Sequence, residues 1–349
     1  MAGIRLEIVT PERMLVRDDV DEVVVPGEDG YLGVLPGHTP LLSTLRSGDL
    51  WYRKGQEKTH VTIGGGFAEV LPDRVAKLLK PLRELVTALT IRARIPQIEV
   101  AYGEDATLVL VLRNLDPLSE ADEQLLERFA STHSVYLYLQ PQGPKSIHPL
   151  SPQHVARLSY TLPEFDIVMP FNAAEFTQVN PQINRVLVRR AVELLAPQPN
   201  ERVLDLFCGL GNFSLPLARR GAQVHGIEGE QTLVQRARKN AELNGLGQQT
   251  SFERRNLFNV DQAALASLGQ FDKWLIDPPR DGAIEVVKSL PEDAPRSIVY
   301  ISCNPATLAR DASVLVHSHR YRLRCAGIMN MFPHTSHVES IALFERGGE

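Results

Sequence analysis

The sequence of 349 residues lacks the features that mark several large classes of protein. It has only three cysteines, Cys208, Cys303 and Cys325, and no two of them have the Cys-x-x-Cys spacing of a zinc or redox site. No run approaches the roughly 18 apolar residues of a membrane-spanning helix. The first residues, MAGIRLEIVTPER, lack the basic start and apolar core of a signal peptide. We therefore predict a cytoplasmic protein with no disulfide framework and no membrane insertion.

The sequence also lacks a strong basic stripe, which is the usual electrostatic mark of a nucleic-acid-binding surface. The formal net charge is −5. Residues 1–75 carry 8 basic and 12 acidic side chains, residues 76–171 carry 9 and 11, and residues 172–349 carry 20 and 19. The acidity therefore lies outside the last segment, and charge alone does not indicate a nucleic acid partner.

Hydrophobic periodicity divides the chain into three predicted domains. Residues 1–75 show short alternating strands separated by glycine-containing turns, which is typical of an antiparallel β-sandwich. Residues 76–171 mix strands with a helix that Ser119 is expected to cap, and they predict a small central α+β domain. In residues 172–349 strands and helices alternate, which predicts a C-terminal Rossmann-like α/β domain with a parallel sheet covered on both faces.

A glycine-rich turn follows the first strand of the α/β domain. The stretch 205–213, DLFCGLGNF, joins an apolar strand to a helix, and glycines there allow the backbone to pass close to a ligand. Glu228 ends the next strand, about 20 residues on, where doubly wound folds place an acidic side chain that binds ribose hydroxyls. A lone Gly-x-Gly turn is often only packing, but strand, turn, helix and Glu228 together favour a nucleoside-type cofactor.

NAD and S-adenosylmethionine sites share this geometry, and three features favour the methyl donor. The spacing is Gly-x-Gly-Asn rather than Gly-x-Gly-x-x-Gly. The motif Asp277-Pro-Pro-Arg280 ends a later strand, where doubly wound sheets bind ligands, although Asp-Pro-Pro alone is also found as a strand-terminating turn. Asn256 follows a third strand, within reach of an adenine. We therefore predict S-adenosylmethionine as the cofactor.

Two further side chains are candidates for chemistry. Cys303, in SCNP, lies between a strand and a helix, where a helix N-terminus is expected to stabilise a thiolate. Cys208 and Cys325 are interpreted as inert packing residues. Glu339, in His-Val-Glu, opens the last strand, and in isolation it would be interpreted as a solvated charge on an edge strand.

Four stretches carry a family resemblance: DLFCGLGNFSLPLA, DPPRDG, YISCNPATLARD and MFPHTSHVESIALFER. They resemble the RNA uracil-C5 methyltransferase family, in particular its 23S ribosomal RNA 5-methyluridine branch, from about residue 76 to the end. The resemblance implies methylation of carbon 5 of a uridine in 23S ribosomal RNA, with transfer RNA as the alternative substrate. It assigns Cys303 as the nucleophile that adds to uracil C6 and Glu339 as the base. It also implies that the methyl donor contacts Gln178 (in FTQVN), Phe207, Asn212, Glu228, Asn256 and Asp277.

The first 75 residues resemble a different family. The stretches VTPERMLV, VVVPGEDGYLGVLPGHTPLL and GGGFAEVLPDRV resemble the N-terminal β-sandwich of the F-type ATP synthase epsilon subunit. The resemblance ends about one strand short of that sandwich, and AKLL at 76–79 is a candidate for the missing strand. It implies an alternative function, a non-catalytic rotor subunit that binds ATP synthase stalk subunits. We therefore predict a fusion with a junction near 75–80.

The ribosomal RNA methyltransferases of the family resemble one another in beginning with an RNA-binding β-barrel and a four-cysteine iron–sulfur segment. Neither is visible in this sequence, so no iron–sulfur cluster is expected. A methyltransferase of amino nitrogens is a third alternative, since such enzymes carry Asp-Pro-Pro followed by an aromatic residue. Arg280 occupies that position here, and such enzymes need neither SCNP nor His-x-Glu.

Overall fold

The computed structural model describes residues 3–10, 13–27, 30–38, 41–70, 73–178, 180–329, 331 and 338–347. The chain divides into two compact units, Met1–Lys77 with Asn330–Val338, and Leu78–Met329 with Glu339–Glu349. The predicted boundary at 171, between a central domain and a methyltransferase domain, falls inside the second unit and stays a prediction.

The first unit is built from antiparallel strands. They are β1 (Ile4–Val9), β2 (Met14–Val20), β3 (Glu22–Gly27), β4 (Gly30–Val34), β5 (Leu41–Leu45), β6 (Gly48–Lys54), β7 (Glu57–Ile63) and β8 (Gly66–Val70). β1 pairs with β2, and the others form a sheet in the order β7-β6-β3-β5-β8 with β4 on β3. Alternate side chains turn inward to a shared core that includes Val20, Val25 and Leu50. This is the predicted β-sandwich.

The candidate strand at 76–79 is wrong, because these residues belong to two helices and their connection. Helix α1 covers Asp73–Ala76 and α2 covers Leu79–Ala88. Within the second unit, Leu78, Leu82, Leu85 and Leu89 are all buried. Their spacing of four, three and four residues is the period of a helix with one apolar face, and it overrides the short apolar run.

The second unit begins with mixed α and β elements. They are α2, β9 (Gln97–Tyr102), β10 (Leu108–Arg113), α3 (Glu120–His133), β11 (Tyr136–Leu139), β12 (His148–Pro149), β13 (Leu158–Leu162) and β14 (Ile167–Phe171). The sheet order is β12-β11-β10-β9, and β13 and β14 form a hairpin. Ser119 caps α3 as predicted: its Oγ accepts the Asp122 N–H at 3.2 Å, while Asp122 Oδ2 accepts the Ser119 N–H at 3.1 Å.

An alternating α/β region follows. Its elements are α4 (Pro181–Leu195), β15 (Arg202–Leu206), α5 (Ser214–Arg219), β16 (Gln223–Glu228), α6 (Gln231–Leu243), β17 (Thr250–Arg254), α7 (Gln262–Ala266), β18 (Lys273–Ile276), α8 (Ile284–Lys288), β19 (Ser297–Ser302), α9 (Pro305–His317), β20 (Tyr321–Met329) and β21 (Glu339–Arg346). The sheet order is β17-β16-β15-β18-β19-β21-β20. β15 to β19 are parallel, and β21 is antiparallel to both of its neighbours. This confirms the predicted Rossmann-like architecture. Among the helices of the described ranges, none is both long and apolar enough to span a membrane.

Candidate active site

The carboxyl ends of the parallel strands meet at one edge of the large sheet. The chain order reverses at β15, whose neighbours are β16 and β18, and a crevice opens at such a switch point. Phe207 follows β15, Glu228 ends β16, Asn256 lies two residues beyond β17, and Asp277 follows β18. The fold therefore brings these four predicted cofactor residues to the same edge.

The turn after β15 runs through left-handed backbone conformations. Phe207 has a φ of 65°, Gly209 of 55° and Gly211 of 96°. A Cβ atom at Gly209 would meet nothing within 4 Å, whereas one at Gly211 would lie 2.6 Å from Leu215 Cδ1. Gly209 thus borders open space, and Gly211 allows helix α5 to pack closely.

Glu228 faces this turn from the end of β16. Its carboxylate accepts the Gly209 N–H at 3.0 Å on one oxygen and the Glu230 N–H at 3.1 Å on the other. A carboxylate offers about four lone-pair sites, so both oxygens can still accept hydrogen bonds from ribose hydroxyls. The arrangement fits the role that the sequence predicted for Glu228.

An aromatic pair stands at the same edge. The Phe207 ring lies 5.7 Å from the Phe258 ring, at an interplanar angle of 60°. Phe258 is 47% exposed, which is unusual for a large apolar ring. Asn256 Oδ1 accepts the Phe258 N–H at 3.0 Å, so Asn256 holds the turn that carries this ring. Sequence reasoning did not name Phe258; the signal was an aromatic residue two positions after Asn256.

Asn212 has a side chain already engaged in a buried network. Its Oδ1 accepts the Tyr160 hydroxyl at 2.8 Å and the Asn184 amide at 3.1 Å, and its Nδ2 donates to Asn184 Oδ1 at 3.0 Å. These bonds fasten the glycine-rich turn to β13 and α4. The Asn212 amide therefore positions the turn, and one N–H remains for the predicted cofactor contact. Tyr160 and Asn184 were not identified from the sequence.

Gln178 is the predicted cofactor residue that precedes the strands of the large sheet in the chain. It is half-buried in the connection between β14 and α4. Within the described part of the chain, no hydrogen bond links it to the strand ends. Its role stays a prediction that rests on the resemblance.

Cys303 and Glu339 lie beside each other at the end of β19. Ser302 in β19 is paired with Ser340 in the antiparallel β21, so the register places Glu339 level with Cys303. Cys303 is half-buried, and Glu339 is only 5% exposed. The predicted nucleophile and base, 36 residues apart in the chain, are thus brought together by the sheet.

The charges around Cys303 do not favour a thiolate. Burial raises the pKa of the Cys303 thiol, Glu339 raises it further, Arg280 lowers it, and Asp277 raises it. The expected stabilisation by the N-terminus of α9 is therefore outweighed by burial and by two carboxyl groups. Arg280, which sequence reasoning did not treat as a site residue, supplies a positive charge in this setting.

The carboxyl groups of the site are also perturbed. Burial raises the pKa of Glu339 to about 7, with Arg280 acting in the opposite direction. Burial raises the pKa of Asp277 well above its ordinary range, and the charges of Glu339 and Asp205 add to this effect. Asp205 is fully buried and accepts the Ser214 hydroxyl at 2.5 Å, and burial raises its pKa to about 7. Perturbed acids that cluster in a crevice are typical of active sites.

Two protein family models match the sequence of this chain. The family model described as tRNA (Uracil-5-)-methyltransferase matches residues 159–347, more than half of the chain. The chain belongs to this family. A second model, described as the ATP synthase Delta/Epsilon chain beta-sandwich domain, matches residues 3–78 of this family member. Both resemblances predicted from the sequence are confirmed.

Individual proteins that are similar in sequence to this chain are also uracil-C5 methyltransferases. The 23S rRNA (uracil(1939)-C(5))-methyltransferase RlmD of Nitrosospira multiformis is 59% identical over 279 residues, covering 79% of this chain and 63% of the relative. The RlmD of Azoarcus sp. is 61% identical over 282 residues, covering 80% of this chain and 65% of the relative. The chain thus spans less than two thirds of the length of these relatives.

A solved structure shares the fold. The Pyrococcus abyssi tRNA (uracil-54, C5)-methyltransferase in complex with S-adenosyl-L-homocysteine superimposes with a TM-score of 0.63 at 22% identity. The match covers 93% of this chain and 79% of the other.

Proposed function

We propose that this chain is an S-adenosylmethionine-dependent methyltransferase that acts on carbon 5 of a uridine in 23S ribosomal RNA. The observation that carries the proposal is the placement of Cys303 level with Glu339, at the carboxyl end of β19 in the parallel part of the sheet. Membership of the uracil-C5 family supports the reaction, and the RlmD relatives support 23S ribosomal RNA over transfer RNA. A ribosomal RNA substrate in turn implies a cytoplasmic location.

The reaction requires a nucleophile because C5 of uracil is itself a poor one. The Cys303 thiolate adds to C6, an S–C6 bond forms, and the electron pair of the C5=C6 bond moves into an enolate. C5 is then nucleophilic enough to take a methyl group, which bound S-adenosylmethionine would supply as an electrophile, with S-adenosylhomocysteine as the leaving group. Glu339 removes the proton from C5, the C6–S bond breaks, and the double bond and the thiolate are restored.

The pKa of Glu339 suits this last step. A general base works best when its pKa lies near the operating pH, and burial holds the Glu339 pKa at about 7. Asp277, with a pKa well above its ordinary range, is able to donate a hydrogen bond to an oxygen of the target base. A uracil in folded RNA must be flipped out to reach Cys303.

The described residues fit the proposed cofactor. The open space beside Gly209 and the free lone pairs of Glu228 suit a nucleoside. The Phe207 and Phe258 rings offer an apolar wall at the same edge. Asn256 follows β17 and Asp277 follows β18, so the two side chains border this apolar wall from the two sides of β15. We assign these side chains to the binding of S-adenosylmethionine.

Transfer of labelled methyl from S-adenosylmethionine to RNA tests the proposal. Unmodified 23S ribosomal RNA should become labelled and unmodified transfer RNA should not. Cys303→Ala should abolish labelling, whereas Cys325→Ala, the matched change at the half-buried cysteine of β20, should leave it intact. Labelling that survives Cys303→Ala would exclude the proposed mechanism, and labelling of transfer RNA alone would replace the substrate.

A second candidate function concerns the first unit. The match of residues 3–78 to the ATP synthase sandwich favours a rotor role, with stalk subunits as the partner. Pull-down of purified stalk subunits by the full chain tests this role. We expect methyl transfer to be the activity of the chain. The residues that we propose for this reaction lie together at one edge of the large sheet.

A further inference from the structure

The loop between β18 and α8 is fastened to one face of helix α9. The Arg280 carbonyl accepts hydrogen bonds from Asn304 Nδ2 at 3.3 Å and from Thr307 Oγ1 at 3.4 Å. One turn further along, Asp311 Oδ2 accepts the Ala283 N–H at 2.8 Å. Side chains three and four residues apart share one face of a helix. We call Asn304, Thr307 and Asp311 the α9 clamp.

Asp311 is the most firmly held member of the α9 clamp. It is fully buried, the Tyr300 hydroxyl of β19 donates to its Oδ2 at 2.6 Å, and Arg310 Nε donates to its Oδ1 at 2.8 Å. Arg310 Nη2 also donates to the Asp281 carbonyl at 2.8 Å. At Gly282, where φ is 76°, a Cβ atom would lie 2.8 Å from Asp311 Oδ2. The loop therefore approaches the helix as closely as glycine permits.

The α9 clamp joins two parts of the active site. Cys303 directly precedes the first residue of the clamp, and Arg280 belongs to the clamped loop. Three charged or ionisable groups face the thiol: Glu339 and Asp277 raise its pKa, and Arg280 lowers it. The backbone position of Arg280 is thus held by the helix that follows the thiol.

We propose that the α9 clamp positions Arg280 beside the Cys303 thiol. The proposal rests on Cys303 as the nucleophile of the proposed function, and it assigns Thr307 and Asp311 as positioning residues that act through Arg280. No residue of the clamp needs to contact RNA or cofactor for this role.

The pH dependence of Cys303 alkylation in the full chain tests the proposal. Iodoacetamide is the probe, and mass spectrometry of the Cys303 peptide separates it from the other cysteines. Asp311→Asn should raise the thiol pKa by about 0.5 to 1 unit, because a nearby opposite charge typically shifts a pKa by about 1 to 3 units and the clamp holds only part of that effect. At pH 7.5 alkylation should slow by about threefold to tenfold.

The direction of the shift separates two explanations. Removal of the negative charge of Asp311 would by itself lower the thiol pKa, whereas release of Arg280 raises it. Asp281→Asn is the matched control, since it removes the same charge from the clamped loop while the Asp281 carbonyl, which Arg310 contacts, remains. It should not raise the thiol pKa. A lowered pKa in Asp311→Asn would overturn the proposal.

A double-mutant cycle completes the test. In the Arg280→Gln background, Asp311→Asn should no longer raise the alkylation pKa, because the group that the clamp positions is gone and only the loss of the Asp311 charge, which lowers the pKa, remains. Equal shifts in both backgrounds would show that the clamp acts on the thiol directly, and this would refute the proposal. Thr307→Val, a milder variant of similar shape, repeats the cycle if Asp311→Asn fails to fold.

The readout keeps this proposal distinct from the proposed function. Alkylation needs neither RNA nor methyl donor. A chain that shows the expected alkylation shifts but transfers no methyl group would support the clamp and contradict the function. A chain that methylates 23S ribosomal RNA without these shifts would do the reverse.

Discussion

The protonation of Glu339 leads to a quantitative prediction about stability. Its side chain is 5% exposed, and burial raises its pKa from 4.5 to about 7. The folded state therefore binds this proton more tightly than the unfolded state does. The stability that comes from the bound proton is fully present below about pH 4.5, and it is lost as the pH rises through about 7.

The size of the effect follows from the shift. About 2.5 pKa units correspond to about 3 kcal/mol of unfolding free energy at pH 8.5. Glu339→Gln introduces a neutral side chain of similar shape that cannot ionise. The variant should differ from the wild-type chain by less than about 1 kcal/mol at pH 5 and exceed its stability by about 3 kcal/mol at pH 8.5. That difference corresponds to about 6 to 12 °C in Tm for a domain of this size.

Thermal unfolding between pH 5 and pH 8.5 measures this difference. Glu345→Gln is the matched control, because Glu345 lies on the same strand and its carboxylate, paired with Arg324 at 2.7 Å, remains 41% exposed. The control should show no gain in stability at high pH. A Glu339→Gln variant with the same Tm difference from wild type at both pH values would refute the reasoning about its burial.

Three further predictions concern the proposed catalytic base and two buried hydrogen-bonded carboxyl groups. Glu339→Gln should accumulate a covalent RNA adduct of Cys303 that survives denaturing gels, because elimination needs the base; normal turnover without adduct would contradict the assignment. Asp122→Ala should lower stability in urea by about 2 kcal/mol at pH 7, since hydrogen bonds hold the pKa of this buried carboxyl at about 2, and the gap should close as the pH falls from 3.8 through 2. Ser214→Ala should cost about 1 to 3 kcal/mol in thermal melts, because the buried Asp205 loses its hydroxyl partner; an unchanged Tm would contradict this.

The location of the crevice was predictable from local sequence. An apolar strand followed by a glycine-rich turn, and an acidic residue at the end of the next strand, identify a strand edge without any long-range information. Phe207, Glu228 and Asp277 lie at that edge because parallel strands end on the same side of a sheet. The apolar strands together with the residues that follow them were sufficient to place these three residues at the edge.

The pairing of Cys303 with Glu339 was not accessible in this way. Glu339 opens β21, which runs antiparallel between β19 and β20, and the register is set by pairing such as Ser302 with Ser340. Nothing in the local pattern around Glu339 distinguishes it from an exposed charge on an edge strand. Its role was named from the family resemblance, and its burial beside the thiol appeared only in the folded chain.

Side-chain roles that depend on partners distant in the chain also could not be predicted from the sequence. The amide of Asn212 is held by Tyr160 and Asn184, which lie 52 and 28 residues away. A motif shows that an asparagine follows the turn, but it does not show which groups will surround it. The prediction of a strand at residues 76–79 was wrong for a different reason. The helical period of this stretch is visible only when Leu82 and Leu85 are counted with it.

The buried acids limit the first step of the proposed reaction. The pKa of Glu339 is about 7, and burial raises the pKa of the Cys303 thiol above its ordinary value, with Glu339 adding to this effect. Transfer of the thiol proton to Glu339 is therefore unfavourable, and most of the thiol is protonated near neutral pH. The base that completes the reaction thus hinders its start. The positive charge that the chain itself places against this effect is Arg280, so the anchoring of its loop to α9 bears directly on the rate of thiol addition.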